Sequence, residues 1–198
     1  MTQKLWQASS KQKKNSILFS FEKYISKKFN KNFSGDYQNI LNWSIKNSPE
    51  FWSSFWDFTK IKGIKSDKKI RKSKIFYKNV FLPNSKLNFG ENLLPKNNSE
   101  KAITFISENN FREERTWNEL NENTSKIINF FKGRKIKKKD RIAAYLPNTI
   151  ETVEAFIATT SIGAIWSSCS PDFGVRGVVE RFSQINPKVL FITDQYFY

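Results

Sequence analysis

The stretch Ser161-Ile-Gly-Ala-Ile-Trp-Ser-Ser-Cys-Ser-Pro-Asp-Phe-Gly174 decides how this chain of 198 residues folds. It reads as the end of a buried helix, a short apolar strand, and a Ser/Cys-rich loop that feeds the next helix. Upstream, Arg141–Leu146 reads as a strand and Pro147-Asn148 as a break. Asn148 and Glu151 then form a capping arrangement for a helix running through Ile162, with Gly163 as its stop. Downstream, Val175, Val178, Val179, Phe182 and Ile185 stripe a further helix, and Lys188–Thr193 is a last strand. The order from Arg141 is strand, helix, strand, helix, strand. Crossovers of this length imply parallel pairing with right-handed connections. The apolar run Ala155–Ile162 is expected to lie against the sheet. Glu151 is explained by helix-start electrostatics and Glu154 by solvent exposure.

Moving toward the N-terminus, Ala102–Ser107 and Phe111–Arg115 are short β-like runs, a hairpin around Glu108-Asn109-Asn110. Thr116-Trp117-Asn118-Glu119 is a capping box that opens a helix with Leu120, Thr124, Ile127, Ile128 and Phe131 on one stripe, ended by Gly133. Before residue 96 the pattern is different. Ile17, Leu18, Phe21, Tyr24 and Ile25 share a helical face, and Tyr37, Ile40, Leu41 and Ile45 share a second. A third helix is expected with Ser48 as N-cap, Pro49 at the first helical position and Glu50 facing the positive end. Its apolar face is Phe51, Trp52, Phe55 and Phe58. Lys60–Lys74 holds eight basic residues against one acid. With no apolar period it reads as a solvated, flexible connection. Leu82-Pro83-Asn84-Ser85 is a turn, Leu87–Leu94 a docking segment, and Pro95–Glu100 a polar linker. Two regions are expected: a helical segment at 1–95 and an α/β region at 96–198.

An aromatic content of 16%, with 19 Phe and 6 Trp, is ample for a core and argues against disorder. The formal charge of +16 invites an anionic partner, but Lys, Asn, Ile and Phe are abundant together, as a biased coding composition would make them. A single cysteine excludes an internal disulfide and fits a reducing, cytoplasmic setting. The absence of His removes the usual general base and any conventional zinc site. No window approaches the ~18 apolar residues of a membrane span, and the polar Met1–Lys14 with the short run after it is no signal sequence.

Ligands of open parallel sheets sit beyond the carboxyl ends of the strands. Leu146-Pro147-Asn148 and Ser168-Cys169-Ser170-Pro171 reach that edge. The hydroxyls and thiol there either contact a ligand or form a hydrogen-bonded loop capping the helix near Val175. The candidate binding residues are Ser168, Cys169, Ser170 and Gly174. Gly174 and Gly177 could leave amide donors free for an anion. No catalytic residue and no metal ligand is assigned, and Cys169 has no neighbour in sequence that would activate it as a nucleophile. Neither G-x-x-x-x-G-K-[ST] nor G-x-G-x-x-G occurs among the seven glycines.

Trp43-Ser44 with Phe51-Trp52, the segment Leu87–Leu94, then Thr116–Leu120, Asp140–Asn148, Trp166–Gly174 and Arg181–Leu190 together resemble the acetoacetyl-CoA synthetases. These are acyl-adenylate-forming ligases. The likeness runs over nearly the whole chain from Ile17, and Trp-Ser-Ser-Cys-Ser-Pro-Asp-Phe-Gly is the motif that points to the acetoacetate branch. The resemblance implies a partial parallel βαβαβ sheet of a ligase N-terminal domain, preceded by a small aromatic-rich helical segment. It also implies a two-step reaction in which acetoacetate attacks ATP to give an acyl-adenylate and the CoA thiol then displaces AMP.

The family's Ser/Thr/Gly-rich phosphate loop, its adenine- and ribose-binding region and its mobile lysine-bearing C-terminal domain would all lie beyond Tyr198. The chain is therefore expected to be the first third of such an enzyme and inactive alone. ATP, Mg²⁺ and CoA would be held only by the complete enzyme; a truncated gene, a split gene with the remainder as a separate chain, and an incomplete reading of the gene all stay open. Two other readings stay open: a basic nucleic-acid-binding module, and an interaction protein with an exposed sheet edge. The aromatic residues sit at helix-face spacing, which argues against base stacking.

Overall fold

Short amphipathic helices rich in aromatic residues stay folded only by burying their rings against one another. The first of two units in this computed structural model, Met1–Leu87, does so. The structure describes residues 5–108 and 110–195. Its first helices are α1 (Ser10–Lys14), α2 (Ile17–Phe29), α3 (Tyr37–Lys46) and α4 (Ser48–Phe58). Ser16 caps α2 by accepting the Phe19 amide at 3.1 Å. Phe21, Ile25, Phe33, Ile40 and Trp43 form the core. The Phe21 ring meets Phe51 edge-on at 5.7 Å and Phe58 at 5.1 Å, geometries that aromatic quadrupoles favour.

Three expectations for this unit are corrected. On α3 the inward residues are Ile40 and Trp43, while Tyr37 and Ile45 are exposed. Ser48 is the first residue of α4 and not its cap. Asn47 precedes it, and its side-chain Nδ2 donates to the Trp43 carbonyl at 3.1 Å, so it closes α3 without capping α4. On α4, Trp52 and Phe55 of the expected face are exposed, whereas Ser53, Ser54 and Trp56 are buried. The chain that follows returns along the helix and covers Ser53, whose carbonyl accepts from Lys65 Nζ at 2.9 Å.

That following chain is also not the expected free connection. Strands β1 (Gly63–Ile64) and β2 (Ile70–Arg71) each pair antiparallel, β1 with β4 (Lys86–Leu87) and β2 with β3 (Val80–Phe81). Leu82–Ser85 turns as expected, the Ser85 amide donating to the Leu82 carbonyl at 3.1 Å.

The second unit, Asn88–Tyr198, carries the sheet. It contains α5 (Phe89–Leu93), β5 (Lys101–Ile106), β6 (Arg112–Thr116), α6 (Trp117–Gly133), β7 (Arg141–Tyr145), α7 (Ile150–Ser161), β8 (Ile165–Cys169), α8 (Val175–Ile185) and β9 (Val189–Ile192). β5 and β6 form the expected antiparallel hairpin; Asn109 of its turn lies outside the described residues. The capping box forms in full: Thr116 Oγ1 accepts the Glu119 amide at 3.2 Å and Glu119 Oε2 accepts the Thr116 amide at 2.8 Å.

The three segments after residue 140 lie side by side, all parallel, in the order β8-β7-β9. This is the partial parallel βαβαβ sheet expected from the sequence, and a helical segment precedes it in the chain. Side chains alternate across the central strand. Ile142 packs with Phe131, Ala158 and Ala164 on one face, and Ala143 packs with Cys169 and Phe182 on the other. Gly163, at φ +71°, takes the left-handed turn that ends α7 and returns the chain to β8.

Leu87–Leu94 is expected to dock, and within this unit its helix α5 lies on α7. Asn88 Nδ2 donates to the Ser161 carbonyl at 2.7 Å. A Cβ on Gly90 would stand 2.6 Å from the Ser161 nitrogen and 2.8 Å from the Ile157 carbonyl oxygen, so only glycine fits there.

Two expectations about α7 fail. Thr149, not Asn148, precedes the helix, and no side chain caps it: the Thr149 amide donates to the Pro147 carbonyl at 2.9 Å, and Thr152 Oγ1 takes the same carbonyl at 2.7 Å. Glu154 is only 4% exposed. It accepts from Asn123 Nδ2 at 2.8 Å and from Arg115 Nε at 3.3 Å, so β6 and α6 cover it. Burial raises its pKa, and the two donors oppose that rise without cancelling it. No helix among the described residues is long and apolar enough to cross a membrane.

Candidate functional site

The carboxyl ends of β7 and β8 meet at a loop built from Ser170-Pro171-Asp172-Phe173-Gly174. Proline and a short hydroxyl beside a carboxylate make this a self-closing turn. The Phe173 amide donates to the Ser170 carbonyl at 3.1 Å. Ser170 Oγ donates to Asp172 Oδ2 at 2.6 Å and accepts the Asp172 amide at 3.3 Å. Ser170 is thereby engaged within the turn. Gly174 flanks α8 with φ −60° and ψ 156°, and no side chain caps that helix.

Ser168 is exposed near the end of β8, while Cys169 is buried between Ala143 and Phe182. A thiol so placed packs as a small apolar group. Beside Ser168 an open hollow of about 590 Å³ is bounded by Ser167, Phe173, Gly177, Arg181 and Gln184. The Arg181 guanidinium stands 4.4 Å from the centre of the Phe173 ring, a cation–π arrangement that fixes the cation at the rim. The structure therefore brings Ser168 and Cys169 to one wall of the hollow and leaves Ser170 and Gly174 in the loop above it.

The sequence reading did not single out Tyr145, Phe173 and Arg181. Tyr145, the last residue of β7, has its hydroxyl 2.7 Å from the Pro171 carbonyl oxygen and 2.9 Å from that of Phe173. A polar-tipped aromatic ending an apolar strand just before a proline was the available signal. Among the described residues, no group of three or more His, Cys, Asp or Glu is gathered as a metal site.

The basic run Lys60–Lys74 is partly consumed by acids of its own unit. Lys65 Nζ lies 2.6 Å from Asp57 and Lys69 Nζ 3.5 Å from Glu50. Asp57, also bonded to Lys28 at 3.1 Å, is held below its ordinary pKa by these two lysines despite partial burial. A second charged cluster ties β6 to α7, with Arg115 at 2.6 Å from Glu113, 3.4 Å from Glu151 and 3.3 Å from Glu154.

Comparison with known proteins gives consistent likenesses. Residues 95–197 match the family described as AMP-binding enzyme. Acetoacetyl-coenzyme A synthetase of Rhizobium meliloti (strain 1021) is 36% identical over 194 residues, covering 98% of this chain and 30% of its own length. Acetoacetyl-CoA synthetase of Xenopus tropicalis is 40% identical over 167 residues, covering 82% of this chain and 25% of its own length. The solved acetoacetyl-CoA synthetase from Streptomyces lividans superposes with a TM-score of 0.88 at 25% identity, over 100% of this chain and 31% of that one. The chain thus spans between a quarter and a third of the length of these relatives.

Proposed function

Since the chain belongs to the AMP-binding enzyme family, we propose that it contributes part of an ATP-dependent ligase joining acetoacetate to coenzyme A. The observation that supports this reading is the likeness, over all of this chain and 31% of the other, to an acetoacetyl-CoA synthetase of known structure. In the reaction so assigned, a carboxylate oxygen of acetoacetate bonds to the α-phosphorus of ATP and pyrophosphate leaves. The CoA thiol then bonds to the acyl carbon and AMP leaves. Such steps need dense positive charge and amide donors around the phosphorus.

The described residues do not fit ATP and Mg²⁺ by themselves. The hollow offers one cation, Arg181, and one acid, Glu180, with the hydroxyls of Ser167 and Ser168, and no group of three or more metal-ligating side chains is gathered among the described residues. ATP, Mg²⁺ and CoA accordingly belong to the assembled enzyme, and no step is routed through these residues. We assign residues 96–198 to the first part of the ligase core and 1–95 to the helical segment ahead of it. Ser168, Cys169, Ser170 and Gly174 form the sheet's ligand-facing rim. The remainder of the ligase, joined or as a separate chain, is the partner, and the cytoplasm is the compartment.

The test has two arms. Purified residues 1–198 should form no acetoacetyl-CoA from acetoacetate, ATP and CoA. The same residues, exchanged for the matching segment of the Rhizobium meliloti enzyme, should give a chimera that forms it and prefers acetoacetate to acetate. Turnover by the chain alone refutes the need for a remainder. A folded chimera without turnover, or one preferring acetate, refutes the assignment.

A further inference from the structure

We propose that Tyr145 is the positioning residue of the β8–α8 loop, its hydroxyl tethering that loop to the central strand and so holding the hollow's rim in shape. The proposal rests on the assignment of this loop to the ligand-facing edge. The turn Ser170–Gly174 is closed mostly on itself, through Ser170, Asp172 and the Phe173 amide. Those bonds give the turn its form but do not fix it to the sheet. Tyr145 does that, its phenol oxygen lying within hydrogen-bond distance of two carbonyls of the turn, those of Pro171 and Phe173. A hydroxyl has one proton, so the contact is a shared, three-centre bond with both carbonyls drawn toward β7. Phe173 is held beneath Arg181, and the cation is carried to the rim with it. The Tyr145 ring packs on the same cluster as Cys169, which ends β8 directly before the turn. Releasing the tether lets the turn, and with it α8 whose Phe182 covers Cys169, lift from β7, so the thiol is uncovered by local opening with the sheet intact.

The chain has one cysteine, 6% exposed, so the rate of thiol labelling reads that opening directly. In the full chain, Tyr145→Phe keeps the ring and removes the oxygen. It should speed labelling of Cys169 by about tenfold, the equilibrium consequence of one lost hydrogen bond. The rate should stay flat across sub-denaturing urea, as a local opening requires. Ser170→Ala, which cuts a bond inside the turn, should speed it by less than about threefold. An unchanged rate in Tyr145→Phe overturns the proposal. So does a rise that follows the loss of global stability along the urea axis, or an equal rise in Ser170→Ala.

Should Tyr145→Phe not fold, the unaltered chain decides. Labelling independent of urea supports the local opening, and labelling that steepens with the global unfolding slope refutes it. No substrate is present in these measurements, so a failed tether leaves the ligase assignment standing. An inactive chimera, conversely, leaves the tether standing.

Discussion

On one face of the sheet, Ile142 is sealed by Phe131, Ala158 and Ala164, with two helices, α6 and α7, laid over it. On the other, Ala143 and Cys169 meet Phe182 of α8, and Val175 and Val179 of that helix's stripe remain 80% and 58% exposed. Both crossover helices carry apolar residues, yet α7 buries six residues and α8 buries one. Helix pattern alone does not decide burial. A second covering layer does, and α6 supplies it on the first face only.

The largest expected effect tests that contrast directly. Phe131→Ala should cost about 3–5 kcal/mol in urea unfolding, and Phe182→Ala about 2 kcal/mol less, because a thinly covered site relaxes around the lost ring. Equal losses would erase the distinction between the faces. Next, Gly90→Ala forces α5 away from Ser161 and Ile157 on the closed side and should cost about 2 kcal/mol. Hydrogen exchange should then rise over Phe89–Leu93 before it rises in the sheet. Thr116→Ala, which removes the cap of the covering helix α6, should cost about 1 kcal/mol and fray its first turn by amide exchange.

The smallest effect is one of pH. Glu154, under the same cover, keeps its proton in the folded chain at pH values where the unfolded chain has lost it. Its contribution to stability is fully present below the ordinary value of 4.5 and is lost as pH rises through the higher folded value. Glu154→Gln should flatten the fall in stability that begins as pH rises above 4.5. A slope that survives the substitution assigns it to another group.

Much of the sheet unit was legible from the sequence because its signals are local. Thr116 and Glu119 cap each other across three residues, Gly163 needs only its own turn, and the apolar period switches plainly at Arg141. The misreadings share a different cause. Ser48 has the side chain of a cap, but Asn47 precedes the helix and spends its own side chain on the helix before it. Glu154 looked solvent-facing because Arg115 and Asn123, which bury and bind it, are 39 and 31 residues away. Tyr145 escaped notice for the same reason: its partners are carbonyl oxygens 26 and 28 residues on, and backbone oxygens leave no trace in side-chain patterns. Along the hollow, Ser168 and Cys169 stand at a strand end that the sequence marks, whereas Arg181 and Phe173 join them only because the helix comes back across the strand.

The strand made first is the one in the middle. During synthesis Arg141–Tyr145 waits for Ile165–Cys169 on one side and then for Val189–Ile192 on the other, Ile142 facing Val189 across 47 residues of chain. Hairpins and capped helices form within microseconds, but ladders between distant segments must first overcome the entropy of closing long loops. Nascent chains therefore carry a central strand with at least one edge unpaired until the third strand has cleared the ribosome, and this interval is when they are most open to chaperone capture or to pairing with one another.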